Sequence, residues 1–287
     1  MMKKILNIID KNFMKVDILN GVRRVQNVFY EKNMECFAAY ENERLVGVIT
    51  KKELIGVHPN RIIADVMSDK YVCVDCCTHI WSIKEMFDLN KNIDVIFVQD
   101  ENEIIGFVTR TTLNIELGKH IDLLTGLYKS DYIFYNTYNL IRSGQNTTVV
   151  FIDLNNFGYI DKKYGHINGD IILKNVAEVL KENINQDSYL CRYAGDEFAI
   201  LTPYCTEDSR ILAEKLINAI NSFEFPNNIS VSASIGIASY KLNNKKIGNV
   251  WDIINRLVNI ASLASTKAKQ NDNNSIIIED VDIDAIA

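Results

Sequence analysis

The segment Leu45-Val46-Gly47-Val48-Ile49-Thr50 returns as Ile104-Ile105-Gly106-Phe107-Val108-Thr109, 59 residues later. A chain that repeats at this period builds one supersecondary unit twice. Each copy follows a short apolar run, 37–40 and then 95–98. Polar residues separate the two runs, Glu41-Asn42-Glu43 in one copy and Asp100-Glu101-Asn102 in the other. Turn formers between β-rich runs predict a hairpin in each copy. Amphipathic helical stretches precede the hairpins at roughly 19–32 and 79–90. The predicted unit is therefore helix, strand, turn, strand, helix, used twice.

The chain has 287 residues, long for one core and comfortable for two domains. A net charge of −6 argues against general nucleic-acid binding, which needs basic surface to displace counterions. No apolar run approaches the ~18 residues of a membrane span. The apolar start is broken by Asp10 and Lys11, so neither a signal peptide nor a membrane partner is expected, and the expected location is cytoplasmic. Among the six cysteines, Cys73, Cys76 and Cys77 stand close to His79. No second C-x-x-C completes a structural zinc site, so they are read as small buried residues of a reducing compartment.

The second half alternates helix and strand. Helices are predicted at 130–143, 169–183 and 250–269, with a further one carrying Leu212, Leu216 and Ile220. Strands are predicted at 147–154, 229–240 and 275–279, with a hairpin at 189–193 and 198–202. The expected layout is α+β, with helices on one face of a mainly antiparallel sheet. The join at Leu117-Gly118-Lys119-His120 is not Gly/Ser-rich and reads as a helical continuation.

The chemistry concentrates at two places. Phe151-Ile152-Asp153-Leu154 puts an acid at the end of an apolar strand, where a carboxylate is costly unless paired or holding a metal. Ala194-Gly195-Asp196-Glu197-Phe198 puts two more acids in a hairpin turn. If strand and hairpin are neighbours, Asp153 and Asp196 face each other and suit Mg²⁺, or Mn²⁺. Gly195 lets a triphosphate approach the backbone. Asn156-Phe157-Gly158 offers N–H groups at a helix start, an anion site.

These motifs resemble the GGDEF family of diguanylate cyclases over about residues 120–280. The resemblance rests on Asp122-Leu123-Leu124-Thr125-Gly126-Leu127, Gly165-His166-Ile167-Asn168-Gly169-Asp170, the signature turn at Ala194–Phe198, Ser234-Ile235-Gly236-Ile237-Ala238 and Ala268-Lys269. It implies a nucleotidyl-cyclase-like (ferredoxin-like palm) domain, a transferase that condenses two GTP into cyclic di-GMP as a homodimer. By the same resemblance Asp153 and Asp196 would hold the metal, and Glu197 would help activate the ribose 3′-hydroxyl or make a further metal contact. Asp170 would read guanine, Asp161 would occupy a second guanine position, and Lys269 would meet the phosphates. His166 and Gly169 are read as shaping a turn. The repeat at 1–117 resembles the tandem cystathionine-β-synthase (CBS) module, which implies a regulatory or dimerising pair ahead of the cyclase domain at 118–287. In nucleotide-binding members of that family an Asp holds the ribose. Here Glu53 and Thr112 stand in its place, leaving an adenine nucleotide a weak expectation.

Several positions depart from the GGDEF pattern. Asp161 stands in place of Asn, Asn155 in place of Asp, Gly158 in place of Lys, and Asn273 in place of a late Arg. Asp161, Gly158 and Asn273 leave open an alternative, a GTP-binding signalling module without turnover, whereas the metal pair does not depend on Asn155. The family's product-inhibition motif is absent from Asn185-Gln186-Asp187-Ser188, so no feedback through that stretch is expected.

Overall fold

The computed structural model describes residues 3–241, 249–271 and 274–281. The chain divides into two compact units, Met1–Gly118 and Lys119–Ala287.

In the first unit β1 (Phe13–Asp17), α1 (Val22–Lys32), β2 (Cys36–Glu41), β3 (Arg44–Thr50) and α2 (Lys51–Leu54) make one copy. The second copy is β4 (Tyr71–Asp75), α3 (Ile80–Leu89), β5 (Val95–Asp100), β6 (Glu103–Thr109) and α4 (Arg110–Gly118). The two sheets have the orders β1-β2-β3 and β4-β5-β6. The repeat therefore opens with a strand, ahead of the helix with which the sequence pattern begins. β1 and β4 pair in parallel with β2 and β5, the helix serving as crossover. Their signal was short but present: Phe-Met-Lys-Val-Asp and Tyr-Val-Cys-Val-Asp both begin aromatic and end Val-Asp.

The repeated glycines have a steric reason. A Cβ on Gly47 would lie 2.7 Å from Met67 Sδ, and one on Gly106 would lie 2.8 Å from the Asp10 carbonyl. Each glycine thus admits a crossing segment, which bridges β3 at Val48–Ser68 and β6 at Asp10–Phe107. Phe97, Phe107, Val95, Ala38 and Val48 then form an apolar cluster shared by both sheets.

The helix α4 stops at Gly118, and Lys119 and His120 form a turn instead of the expected helical continuation. Their carbonyls accept from Lys129, at 2.8 Å from Nζ and 2.9 Å from N, contacts that a continuing helix would forgo.

The second unit holds α5 (Ser130–Arg142), β7 (Thr147–Leu154), α6 (Phe157–Tyr164), α7 (His166–Asn183), β8 (Tyr189–Ala194) and β9 (Glu197–Thr202). It continues with α8 (Thr206–Ser222), β10 (Ala233–Tyr240), α9 (Val250–Lys269) and β11 (Ile276–Asp280). The sheet runs β11-β10-β7-β9-β8, antiparallel except for the parallel β10–β11 edge. Helices cover both faces, not one as expected. Val150, Ile152 and Leu154 of β7 pack with α7 and α8, whereas Val149 and Phe151 pack with α5 and α9. The unbroken apolar run of β7 already carried this information, because a strand wet on one face alternates. β10 is shorter than expected, since a 3₁₀ turn at Pro226–Asn228 precedes it and the ladder begins only at Ala233. Among the described residues no helix is long and apolar enough to cross a membrane.

β10 and α9 approach each other closely, backbone to backbone. A Cβ on Gly236 would fall 2.0 Å from the Ala261 carbonyl oxygen and 2.2 Å from the Ser265 nitrogen. These are backbone atoms, so the helix must move as a whole. Gly236→Ala is expected to cost about 1–3 kcal/mol in urea unfolding. An unchanged midpoint would show that α9 yields freely.

Candidate active site

Side-chain alternation decides which carboxylates meet. Asp153 has the parity of Val149 and Phe151, so it points to the α5/α9 face at the end of β7. Glu197 has the parity of Ala199 and Leu201 on β9 and lies on the same face, directly opposite Asp153 in the ladder. Like charges in that register repel. The turn brings Asp196 alongside, its carbonyl accepting from Leu154 N at 3.4 Å. The offsetting cation comes from the last turn of α9: Lys269 Nζ donates to Asp153 Oδ1 at 2.8 Å and to the Leu154 carbonyl at 3.0 Å.

Electrostatics mark this end of the sheet. Burial first, then the Asp153 charge, push the Asp196 carboxyl above its ordinary range, with Lys269 and Arg192 pulling the other way. Glu197 is likewise raised, by burial and then by Asp153 and Asp196. The donors here are all oxygens, three carboxylates and a main-chain carbonyl, and an ammonium already sits among them. Oxygen donors suit a hard divalent cation such as Mg²⁺, although the three carboxylates do not all lie within 4.8 Å of one another.

The turn itself is held by residues to which sequence reasoning gave no role. Arg192 Nε donates to the Gly195 carbonyl at 2.8 Å, and its Nη1 reaches Asp122 Oδ1 and Oδ2 at 3.1 and 3.0 Å. Asp122 also accepts from the Thr125 hydroxyl at 2.6 Å and from its N–H at 2.9 Å. Partial burial opposes ionisation of Asp122, yet those Thr125 bonds and the Arg192 guanidinium hold its carboxyl below the usual range. A charged residue inside the otherwise apolar β8 was the available signal. Gly195 has φ +46°, and a Cβ there would meet nothing within 4 Å. The outer side of the turn is therefore open.

The remaining expected residues gather around α6 and α7. Asn156 takes the left-handed conformation (φ 54°) and starts α6, whose first N–H groups lack intrahelical acceptors. The Phe157 side chain is buried in the core, so only its backbone can meet a ligand, while Gly158 borders open space. Asp161 Oδ2 lies 3.1 Å from His166 Nδ1. A Cβ on Gly169 would fall 1.9 Å from Asp161 Oδ1, so the missing side chain leaves room for that carboxylate. His166 and Gly169 lie in the first turn of α7, just after Gly165, whose φ of 84° turns the chain out of α6. Asp170 follows, exposed. Asn155 ties strand ends together, accepting from Ser234 Oγ at 2.9 Å and donating to Ser232 Oγ at 3.1 Å. Asp187 accepts from Tyr204 Oη at 2.6 Å. Asn273 lies outside the described residues.

In the first unit Glu53 is engaged locally. Its Oε2 accepts from Thr50 N at 2.9 Å and from Thr50 Oγ1 at 2.6 Å, closing a capping box at α2. Thr112 stands 3.0 Å from Thr109 Oγ1 in the matching place. Neither side chain presents a free carboxylate to a ribose.

A sequence model of the family described as diguanylate cyclase, GGDEF domain, matches residues 119–275. The uncharacterised protein YhcK of Bacillus subtilis is 29% identical over 46% of this chain and 39% of its own length. Diguanylate cyclase DgcS of Shewanella oneidensis is 30% identical over 41% of each. The crystal structure of diguanylate cyclase SiaD with its activator SiaC, from Pseudomonas aeruginosa, aligns at a TM-score of 0.49 and 19% identity, over 60% of this chain and 66% of that one. The match spans only about two fifths of the length of the two curated relatives.

Because Asp196 is raised on folding, the folded state binds its proton more tightly than the unfolded chain. Stability should therefore fall as pH rises from the unfolded carboxylate value through the folded one. Asp196→Asn removes this cost and is expected to raise the thermal midpoint of the metal-free protein at neutral pH. A lowered midpoint would contradict the cost assigned to burying this charge beside Asp153.

Proposed function

The chain belongs to the GGDEF diguanylate cyclase family, and from that membership we propose that it condenses two GTP into cyclic di-GMP and two pyrophosphates. The observation that carries the reading is the meeting of Asp153, Asp196 and Glu197 at one end of β7 and β9, with Lys269 against Asp153. Asp153, Asp196 and the Leu154 carbonyl would hold Mg²⁺ or Mn²⁺. A bound divalent ion supplies charge neutralisation to the phosphates and to the departing pyrophosphate.

The chain's own residues account for the rest. Glu197, whose carboxyl is raised by burial and then by its acidic neighbours, is the group placed to accept the ribose 3′-hydroxyl proton. The resulting oxygen attacks the α-phosphorus of the other GTP, and pyrophosphate leaves. The N–H groups of Phe157 and Gly158 and the open side of Gly195 receive the triphosphate. Lys269 exchanges Asp153 for phosphate oxygens as a point charge. Asp170 accepts from guanine N1–H and the exocyclic amine, a pairing that adenine cannot offer. Asp161 accepts from the same amine but cannot donate. Each chain contributes one such site, so the double transfer needs two chains, a homodimer.

The N-terminal repeat is proposed as a CBS-like pair that regulates or dimerises the cyclase. Its two copies of strand, helix, strand, strand, helix support this reading.

Purified protein incubated with GTP and Mg²⁺ is expected to yield cyclic di-GMP on chromatography, with Glu197→Ala lowering the rate on the order of a hundredfold or more. GTP left intact by a dimeric, Mg²⁺-supplied protein would replace this reading with that of a GTP-binding module without turnover.

A further inference from the structure

The cysteines near His79 are not buried as expected. Cys73 and Cys77 are exposed and Cys76 is partly so, whereas Cys36 and Cys191 are the buried pair. They sit where β4 ends and the chain turns into α3. Among the described residues one group of three His, Cys, Asp or Glu side chains brings its ligand atoms within 4.8 Å of one another: Asp75, Cys76 and Cys77. A fourth donor comes from the β5–β6 hairpin, Asp100 Oδ1 accepting from Cys76 Sγ at 3.7 Å.

The internal repeat supplies a control. In the first copy Leu19 N donates to Asp17 Oδ1 at 2.8 Å and Ile18 N to the Tyr40 carbonyl at 3.0 Å. In the second copy Cys77 N donates to Asp75 Oδ1 at 2.7 Å and Cys76 N to the Gln99 carbonyl at 3.0 Å. The backbone frame is the same, so it does not require sulfur; the first copy builds it with Ile18 and Leu19. Only the second copy places two accessible thiols between two carboxylates.

We propose that Asp75, Cys76, Cys77 and Asp100 form a binding site for a thiophilic divalent cation of the Zn²⁺ or Cd²⁺ type. Two sulfur and two oxygen donors from two neighbouring loops suit a tetrahedral ion of intermediate softness. Zn–S bonds of about 2.3 Å place tetrahedral ligands about 3.8 Å apart. Asp75, Cys76 and Cys77 already lie within 4.8 Å of one another, and Asp100 must swing in from its contact with Cys76 to complete the set. Desolvation, a hydrogen bond with Cys77 and the charges of Asp100 and Asp75 push the Cys76 thiol up to about 11. A metal ion must displace that proton, so binding strengthens as pH rises. One cation already leans on the site, Lys4 Nζ lying 3.4 Å from Cys77 Sγ. The Lys4 segment is anchored beside the turn: Ile5 N donates to the Thr78 carbonyl at 2.8 Å, and Lys3 pairs with Glu116.

The test titrates the full, reduced chain with CdCl₂ and follows the ultraviolet sulfur-to-cadmium charge-transfer band. The band is expected to saturate at one equivalent and to vanish in Cys76→Ser and in Cys77→Ser. Asp100→Asn should weaken binding on the order of tenfold, Lys4→Met should strengthen it, and Cys205→Ser should leave it intact. Circular dichroism checks that each variant folds. No band at one equivalent, or a band that persists in folded Cys77→Ser, overturns the site. Because the band reports sulfur ligation, a cation held by the carboxylates of β7 and β9 does not produce it.

Discussion

An acid at the end of a strand buried on both faces must be matched by positive charge, and here Lys269 matches Asp153 across the β7–α9 contact. The pairing has structural requirements on both sides. Gly236 must lack a side chain for α9 to approach β10 and bring its last turn to the strand end. The α9 face must also pack on Val149, Phe151 and Ala238 through Leu257, Val258 and Ala261. The apolar core therefore sets the position of the ammonium, and the ammonium moderates a cluster of three acids in which burial first, and mutual repulsion second, raises Asp196 and Glu197. On the proposed reading a divalent ion would take the place that the Lys269 ammonium holds against Asp153 and the Leu154 carbonyl.

The second half of the chain was largely legible because its signals are periodic or rare. The α9 stripe runs from Val250 to Lys269 as the spacing indicates, and the acids at 153, 196 and 197 stand out against apolar strands. Contacts between distant segments were not legible. The Arg192–Asp122 pair joins residues 70 apart in sequence, and nothing local to either residue announces it. The covering of both sheet faces followed from the unbroken run in β7, but periodicity alone does not separate such a strand from a buried helix. The strands β1 and β4 escaped for a different reason. Each has five residues, and of those ten only Val74 is buried.

The N-terminal repeat shows how a duplicated frame leaves individual residues free. Gly47 and Gly106 are fixed by a crossing segment in both copies, and both hairpins close with residues at positive φ: Asn42 and Glu43, then Glu101 and Asn102. Glu53 and Thr112 occupy equivalent capping positions with different chemistry, as do Leu19 and Cys77. Function in such a module is therefore to be sought where the copies differ and the frame does not demand the difference.

The most direct test of the central exchange is Mn²⁺ binding to the nucleotide-free chain, followed by the electron paramagnetic resonance of the free ion. Mn²⁺ prefers oxygen donors and has little affinity for thiols. If Lys269 stands where a divalent ion belongs, Lys269→Met binds Mn²⁺ more tightly than the native chain, and Asp153→Asn binds it more weakly. Equal affinity in Asp153→Asn and the native chain would contradict the account.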